Sequence, residues 1–207
     1  MSTLHAVKPY DQVLDAQKHY RVLLQSTARP GSIGQFDDAA IEVPSQLNRS
    51  TALIVLTLLS ADVTYFLDRA DAAASAFIEH ETLAVPTEAD RADFLILADP
   101  RRTEALSRAR TGHLHFPEQA ATVIAQVDAI SPAPLENALR LIMTGPGIEN
   151  QAEVFVLGVS REFFLTLREK NAEFPMGIDV YFTCNSLSAG PCVLALPRTT
   201  CVACEQI

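Results

Sequence analysis

The segment from Phe94 to Arg110 constrains this chain more than any other. Phe94 to Ala98 is a short, unbroken apolar run, the pattern of a strand covered on both faces. Asp99-Pro100 follows at once, a helix-capping residue type and then proline at the first helical position, which predicts a helix through Arg110. A buried strand running straight into a helix belongs to an α/β architecture, in which helices cover the faces of a sheet.

The alternation extends along the chain. From Pro9 to Thr27, Val13, Ala16 or Gln17, Tyr20, Leu23 or Leu24, and Thr27 recur at helical spacing, which predicts an amphipathic helix ended by Pro30-Gly31. Ile33 to Phe36 predicts a short strand. Asn48 or Ser50 can cap a second helix through Leu59, apolar nearly all round and therefore interior. Val63 to Leu67 has strand composition and Ala70 to Glu81 helical composition. Thr122 to Val127 and Ala138 to Met143 read as two strands around the Ser131 to Pro134 turn, which suggests an antiparallel hairpin or ribbon; Thr144-Gly-Pro-Gly147 breaks the second. Ser160 to Asn171 predicts a helix, and Ile178 to Cys184 and Cys192 to Leu196 two strands joined by a Gly-Pro-containing loop. With no internal repeat, linker or shift in composition, the expectation is one α/β domain over residues 1–207, with a mixed sheet.

Composition narrows the function classes. A formal charge of -9 opposes a phosphate backbone, and no cluster of basic and aromatic residues offsets it, so nucleic-acid binding is a poor reading. The longest apolar run, Thr51 to Leu59, is too short to span a bilayer, and Met1 to Tyr10 is too polar for a signal peptide, so a cytoplasmic location is expected. All four cysteines, Cys184, Cys192, Cys201 and Cys204, lie near the C-terminus, unlike those of a disulfide-built secreted domain.

Candidate chemistry is sparse. Cys201-Val-Ala-Cys204 with two thiols upstream could sketch a zinc site, but the nine-residue step from Cys192 to Cys201 could span roughly 30 Å at strand rise. Cys184 and Cys192 are expected to face each other in the hairpin. A redox role for the C-terminal pair is weaker still, because it does not open a helix after a strand, and a frayed end is the simpler expectation. Thr144-Gly-Pro-Gly-Ile148 lacks the lysine and hydroxyl of a phosphate loop and reads as a tight turn. His113 and His115 with Glu118 could outline a metal or acid-base site, although Gly112 and Pro117 favour a surface loop. Asp15 and His19 form an i, i+4 pair on the first helix, with Arg21 close by. Arg198-Thr199-Thr200 offers a guanidinium fork beside two hydroxyls, suited to an anion or a partner's carboxylate, and an internal ion pair explains it nearly as well. No elbow-type nucleophile and no dinucleotide fingerprint is present.

Three stretches, Asp15-Ala-Gln-Lys-His-Tyr-Arg-Val-Leu-Leu24 with Arg29-Pro-Gly31, Phe174-Pro-Met-Gly-Ile-Asp179 and Ala195-Leu-Pro-Arg-Thr-Thr200, resemble the PhnH family. Pro117-Glu-Gln-Ala120 and Thr144-Gly-Pro-Gly-Ile148 add to the likeness, while the loop Asn185 to Pro191 looks longer than in the family, and Cys201 stands where the family has His. The resemblance implies a three-layer α/β/α sandwich similar to the large domain of pyridoxal-phosphate-dependent transferases, without that cofactor. Lys8, Lys18 and Lys170, the whole lysine supply, all look solvated, which disfavours a Schiff base. The resemblance further implies a homodimeric accessory subunit of the carbon-phosphorus lyase core, assembling with PhnG, PhnI and PhnJ. With PhnG, PhnI and PhnL it is required for transferring the ribose triphosphate moiety of ATP to a phosphonate, with no catalytic activity expected of it alone. Asp15, Arg21, Asp179, Arg198, Thr199 and Thr200 are the candidate interface or anion contacts, and a direct part for Arg198 in a shared triphosphate- or phosphonate-binding site is the alternative.

Overall fold

The computed structural model describes residues 10–37, 39–69, 71–186 and 190–206, without the side chain of residue 186. Lys8, the predicted helix start at Pro9, the N-terminal segment through residue 9 and positions 187–189 of the Asn185 to Pro191 loop lie outside the described residues. In chain order the first half forms α1 (Leu14–Ala28), β1 (Ile33–Gln35), α2 (Arg49–Leu58), β2 (Thr64–Leu67), α3 (Ala72–Thr82), β3 (Val85–Pro86), β4 (Phe94–Leu97) and α4 (Glu104–Arg108). There follow β5 (Thr111–His113), β6 (Phe116–Ala120), β7 (Thr122–Gln126), β8 (Ala129–Ser131), β9 (Leu139–Thr144), β10 (Ala152–Leu157), α5 (Arg161–Lys170), β11 (Asp179–Ser186), β12 (Gly190–Leu196) and β13 (Cys201–Gln206).

The fold is mixed α/β around a seven-stranded sheet of order β1-β12-β11-β7-β4-β2-β3. Strands β11, β7, β4, β2 and β3 run parallel, and β12 is antiparallel to β11 and β1. Because side chains alternate across a strand, neighbouring residues of each central strand enter opposite cores. Ile96, Ile124 and Val193 pack with Leu23, Leu53, Ile54 and Ile78 of α1, α2 and α3. Leu95, Val123, Phe182 and Leu194 pack on the other side with Leu106 of α4, Phe163 and Leu167 of α5, and Leu141 and Val156 of the strands β9 and β10. The second outer layer is therefore shared between helices and a four-stranded sheet of order β13-β9-β10-β8, rather than being helical alone.

Local signals explain why the interior helix sits where it does. The Asn48 side chain accepts from Thr51 N at 2.8 Å and caps α2, while its amide donates to Thr183 O at 3.1 Å. Ser50 Oγ donates to Cys184 O at 2.6 Å and accepts from Cys192 N at 2.9 Å. The first turn of α2 is thus satisfied by the β11-β12 hairpin, and full burial of Leu53 and Ile54 behind it contributes about 2 kcal/mol each.

Several expectations need correction. Strands β7 and β9 are not a hairpin: β7 lies between β11 and β4, parallel to both, and β9 belongs to the smaller sheet. Asp99-Pro100 does not open α4, which begins at Glu104 after a turn in which Arg102 N donates to Asp99 O at 3.1 Å. The C-terminal segment is not frayed but pairs as β13 with β9, Cys201 opposite Thr144 through Gln206 opposite Leu139. His113 lies in a small ribbon, β5 with β6, rather than an irregular loop. The buried face of α1 is Asp15, His19, Leu23 and Ser26, while Val13, Tyr20 and Leu24 are exposed. On this inward face the His19 ring lies between Tyr10 and Phe36, and its Nε2 is 3.0 Å from Asp37 O. No helix among the described residues is long and apolar enough to cross a membrane.

Candidate functional site

Antiparallel pairing of β11 with β12 sets Val180 opposite Leu196, which carries the chain just beyond β12 back to the start of β11. Arg198 there meets Asp179. Its backbone N donates to Asp179 Oδ1 at 2.7 Å, its Nε to the same oxygen at 3.3 Å and its Nη2 to Oδ2 at 2.7 Å. Nη1 donates to Pro117 O at 2.9 Å and Pro175 O at 3.4 Å. All three guanidinium nitrogens are engaged within the chain, and the Arg198 side chain is only 18% exposed. A two-point guanidinium–carboxylate pair of this geometry holds backbone segments together as firmly as it could hold a ligand.

The same knot includes the end of α5. Asn171 Oδ1 accepts from Ile178 N at 2.7 Å, and its amide donates to Ile178 O at 3.2 Å. Gly177 lies at φ +141, and a Cβ there would stand 2.6 Å from Asn171 Oδ1 and 3.1 Å from Arg198 Cβ, so the close approach requires glycine. Nearby, the turn after β9 closes with Ile148 N donating to Gly145 O at 3.2 Å, and a side chain at Gly147 (φ +82) would collide with the carbonyl of Ala28. The Thr144 to Ile148 segment is the tight turn expected, packed on the end of α1.

Beside the knot, a cleft of about 310 Å³ separates α5 from the edge strand β13. Phe164, Leu167 and Val202 give it an apolar wall; Arg168, Arg198 and Thr200 stand at its polar end. Thr200 Oγ1 is buried with no hydrogen-bond partner, the kind of orphaned group that a ligand or water satisfies. The cleft can bind and orient, but it holds no carboxylate or imidazole placed to move a proton. Among the described residues no three His, Cys, Asp or Glu side chains converge as a metal site.

The remaining residues singled out in the sequence are dispersed. Asp15 is buried on α1, accepts from Asp11 N at 2.9 Å and pairs with Lys18 at 3.3 Å, whereas Arg21 is exposed on the same helix. Thr199 is half-buried between Arg198 and Thr200. Lys170 is half-buried rather than fully solvated: it donates to Ala109 O at 2.9 Å, and burial lowers its pKa. The thiols of Cys184 and Cys192 face each other across the hairpin at 2.9 Å, both buried. Their mutual hydrogen bond and burial push the Cys184 pKa far up, so it is an inert thiol. Asn171 and Gly177 complete the knot without being legible as site residues in the sequence, where the glycine after Phe174-Pro-Met is the one available signal.

Two of the three strings that carry the family resemblance meet in space, Phe174 to Asp179 against Arg198, with Pro117 beside them. The family model of the bacterial phosphonate metabolism protein PhnH matches residues 9–203. The chain belongs to the PhnH family. It is 31% identical over 193 residues, 92% of this chain and 91% of the relative, to the alpha-D-ribose 1-methylphosphonate 5-triphosphate synthase subunit PhnH of Rhizobium meliloti (strain 1021). It is also 32% identical over 185 residues, 89% of this chain and 84% of the relative, to HtxG of Stutzerimonas stutzeri, whose name associates it with the C-P lyase. In this PhnH-family chain the two C-terminal family strings coincide with the Asp179–Arg198 junction, where α5, the hairpin and the ribbon β5-β6 are tied together.

Proposed function

We propose that this PhnH-family chain is an accessory subunit of a carbon-phosphorus lyase core, required with PhnG-, PhnI- and PhnL-like proteins for transfer of the ribose triphosphate moiety of ATP to a phosphonate. The observation that carries the reading is near full-length similarity to a relative named as a subunit of that synthase. The internal use of every Arg198 nitrogen supports a scaffold part over a catalytic one. In this reading residues 1–207 act as one domain in the cytoplasm, with a frame akin to the large domain of pyridoxal-phosphate-dependent transferases. It forms a homodimer and docks PhnI- and PhnJ-like partners through surfaces that include Arg21 on α1 and Thr199 beside the knot; Asp15, buried on the inner face of α1, is left to hold that helix in place.

The orphaned Thr200 hydroxyl favours a second reading, in which the cleft beside Arg198 takes a phosphonate or triphosphate oxygen in a shared site. That reading requires Arg198 to exchange an internal acceptor for the ligand. Co-purification of the tagged chain with PhnG-, PhnI- and PhnJ-like proteins from the same source separates the outcomes. A stoichiometric assembly is expected; a lone protein that captures none of them overturns the subunit reading.

A further inference from the structure

The large sheet contains a feature that the Arg198 junction does not use. From β2 the chain crosses through α3, on one face, to β3 at the sheet edge; from β4 it crosses through α4, on the other face, to β7 on the opposite side. The two connections leave in opposite directions, so a topological switch point lies between β2 and β4. In open α/β sheets a crevice forms at such a point, outside the carboxyl ends of the strands, and ligands bind there.

A cleft of about 220 Å³ occupies this position, lined by Phe66, Asp68 and Arg69 from the end of β2 and by Arg102, Glu104 and Arg108 from the segment after β4. Asp68 joins the two strand ends, one oxygen accepting from Ala98 N at 2.5 Å and the other from Asp99 N at 3.4 Å. Arg69 follows in a left-handed conformation, φ +53, a costly backbone state for a side-chain-bearing residue, and Gln46 holds it by donating to its carbonyl. Arg69 and Arg102 make only long contacts, with Asp99 at 3.5 Å and Glu104 at 3.8 Å, while Arg108 donates to the exposed Glu88 at 3.1 Å and lies 3.6 Å from Asp90. Each side chain is about half exposed or more, at 59%, 56% and 49%, and surface pairs of this kind are exchanged readily for a better acceptor.

We infer that this switch-point cleft binds a tetrahedral oxyanion, the phosphoryl or phosphonyl group of a small molecule, through Arg69, Arg102 and Arg108. Three arginines lining one cleft from two chain segments suit the dispersed negative charge and several acceptor oxygens of such a group. The site is distinct from the Arg198 cleft, and its reading stands whether or not the partner assembly forms.

The test is isothermal titration of the purified full chain with methylphosphonate, inorganic phosphate and tripolyphosphate, each separately. Saturable binding of at least one is expected, and the tightest of the three identifies the source of the oxyanion. Arg102→Gln and Arg108→Gln should each weaken it about tenfold or more, while Arg161→Gln, which removes the same charge from the exposed start of α5, should leave it unchanged. Thermal melts of the variants confirm that they are folded. No saturable binding by any of the three anions, unchanged affinity in the cleft variants, or equal weakening by Arg161→Gln overturns the inference.

Discussion

Two arginine-bearing clefts on this molecule behave in opposite ways. At the end of the β11-β12 hairpin, Arg198 is mostly buried, meets Asp179 through two nitrogens and gives its third to backbone carbonyls. At the switch point, Arg69, Arg102 and Arg108 are about half exposed or more, and each meets a carboxylate through a single nitrogen. The difference teaches that an arginine in a cleft is not by itself an anion site. Engagement decides: a guanidinium whose donors are all bound within the chain sets geometry, and one held loosely is available to a ligand.

Removing the engaged arginine should have the largest effect. Arg198→Ala leaves Asp179 partly buried without its partner and unties Pro117 and Pro175, so a loss of about 3 kcal/mol is expected in urea unfolding. A loss within surface-substitution range would erase the contrast between the clefts.

Arg110 and Asp93 lie between the two extremes and make the comparison sensitive to pH. Burial raises the Asp93 pKa, but the hydroxyl and N–H of Thr64 and the Arg110 guanidinium outweigh it and leave the carboxyl below its ordinary value of 3.8. A carboxyl depressed in the folded state stabilises above its unfolded pKa, and that contribution disappears as pH falls from 3.8 through the folded value. Urea midpoints of Asp93→Asn and the parent chain should therefore differ at neutral pH and converge in acid; a constant difference down the whole range would show that Asp93 acts through packing alone.

The smallest effect is expected at the loosely held cleft. Arg102→Gln should change stability by no more than about 0.5 kcal/mol in the same unfolding assay. A larger loss would place Arg102 with Arg198 as a structural residue and remove the contrast from the other side.

The candidate sites were legible to different degrees. Asp179 and Arg198 stand in recognisable strings, and their meeting follows from a hairpin that the sequence announces. The switch-point arginines do not announce themselves, because Arg69 and Arg102 are far apart along the chain and converge only when β2 and β4 pair. Asn171 was hidden for a different reason: its bonds to Ile178 close a short loop after α5 whose path no local pattern specifies.

What the sequence determined by itself was short-ranged. Asn48 caps α2 and Ser160 caps α5 because a side-chain oxygen reaches an N–H three residues on, and Phe94 to Leu97 forms an interior strand because both its faces are apolar. Tertiary structure alone decided the partners: β7 between β4 and β11, β9 with β10 and β13, and the inward turn of the Asp15–His19 face of α1. Asp99 illustrates the boundary. Its residue type suits a helix cap, but its carboxylate lies with Arg69 and Arg101 and its N–H with Asp68, so the helix starts later. Capping and periodicity act over one turn of chain, whereas strand order and buried polar pairs depend on groups brought together only by folding, and no local pattern encodes which of several suitable partners will arrive.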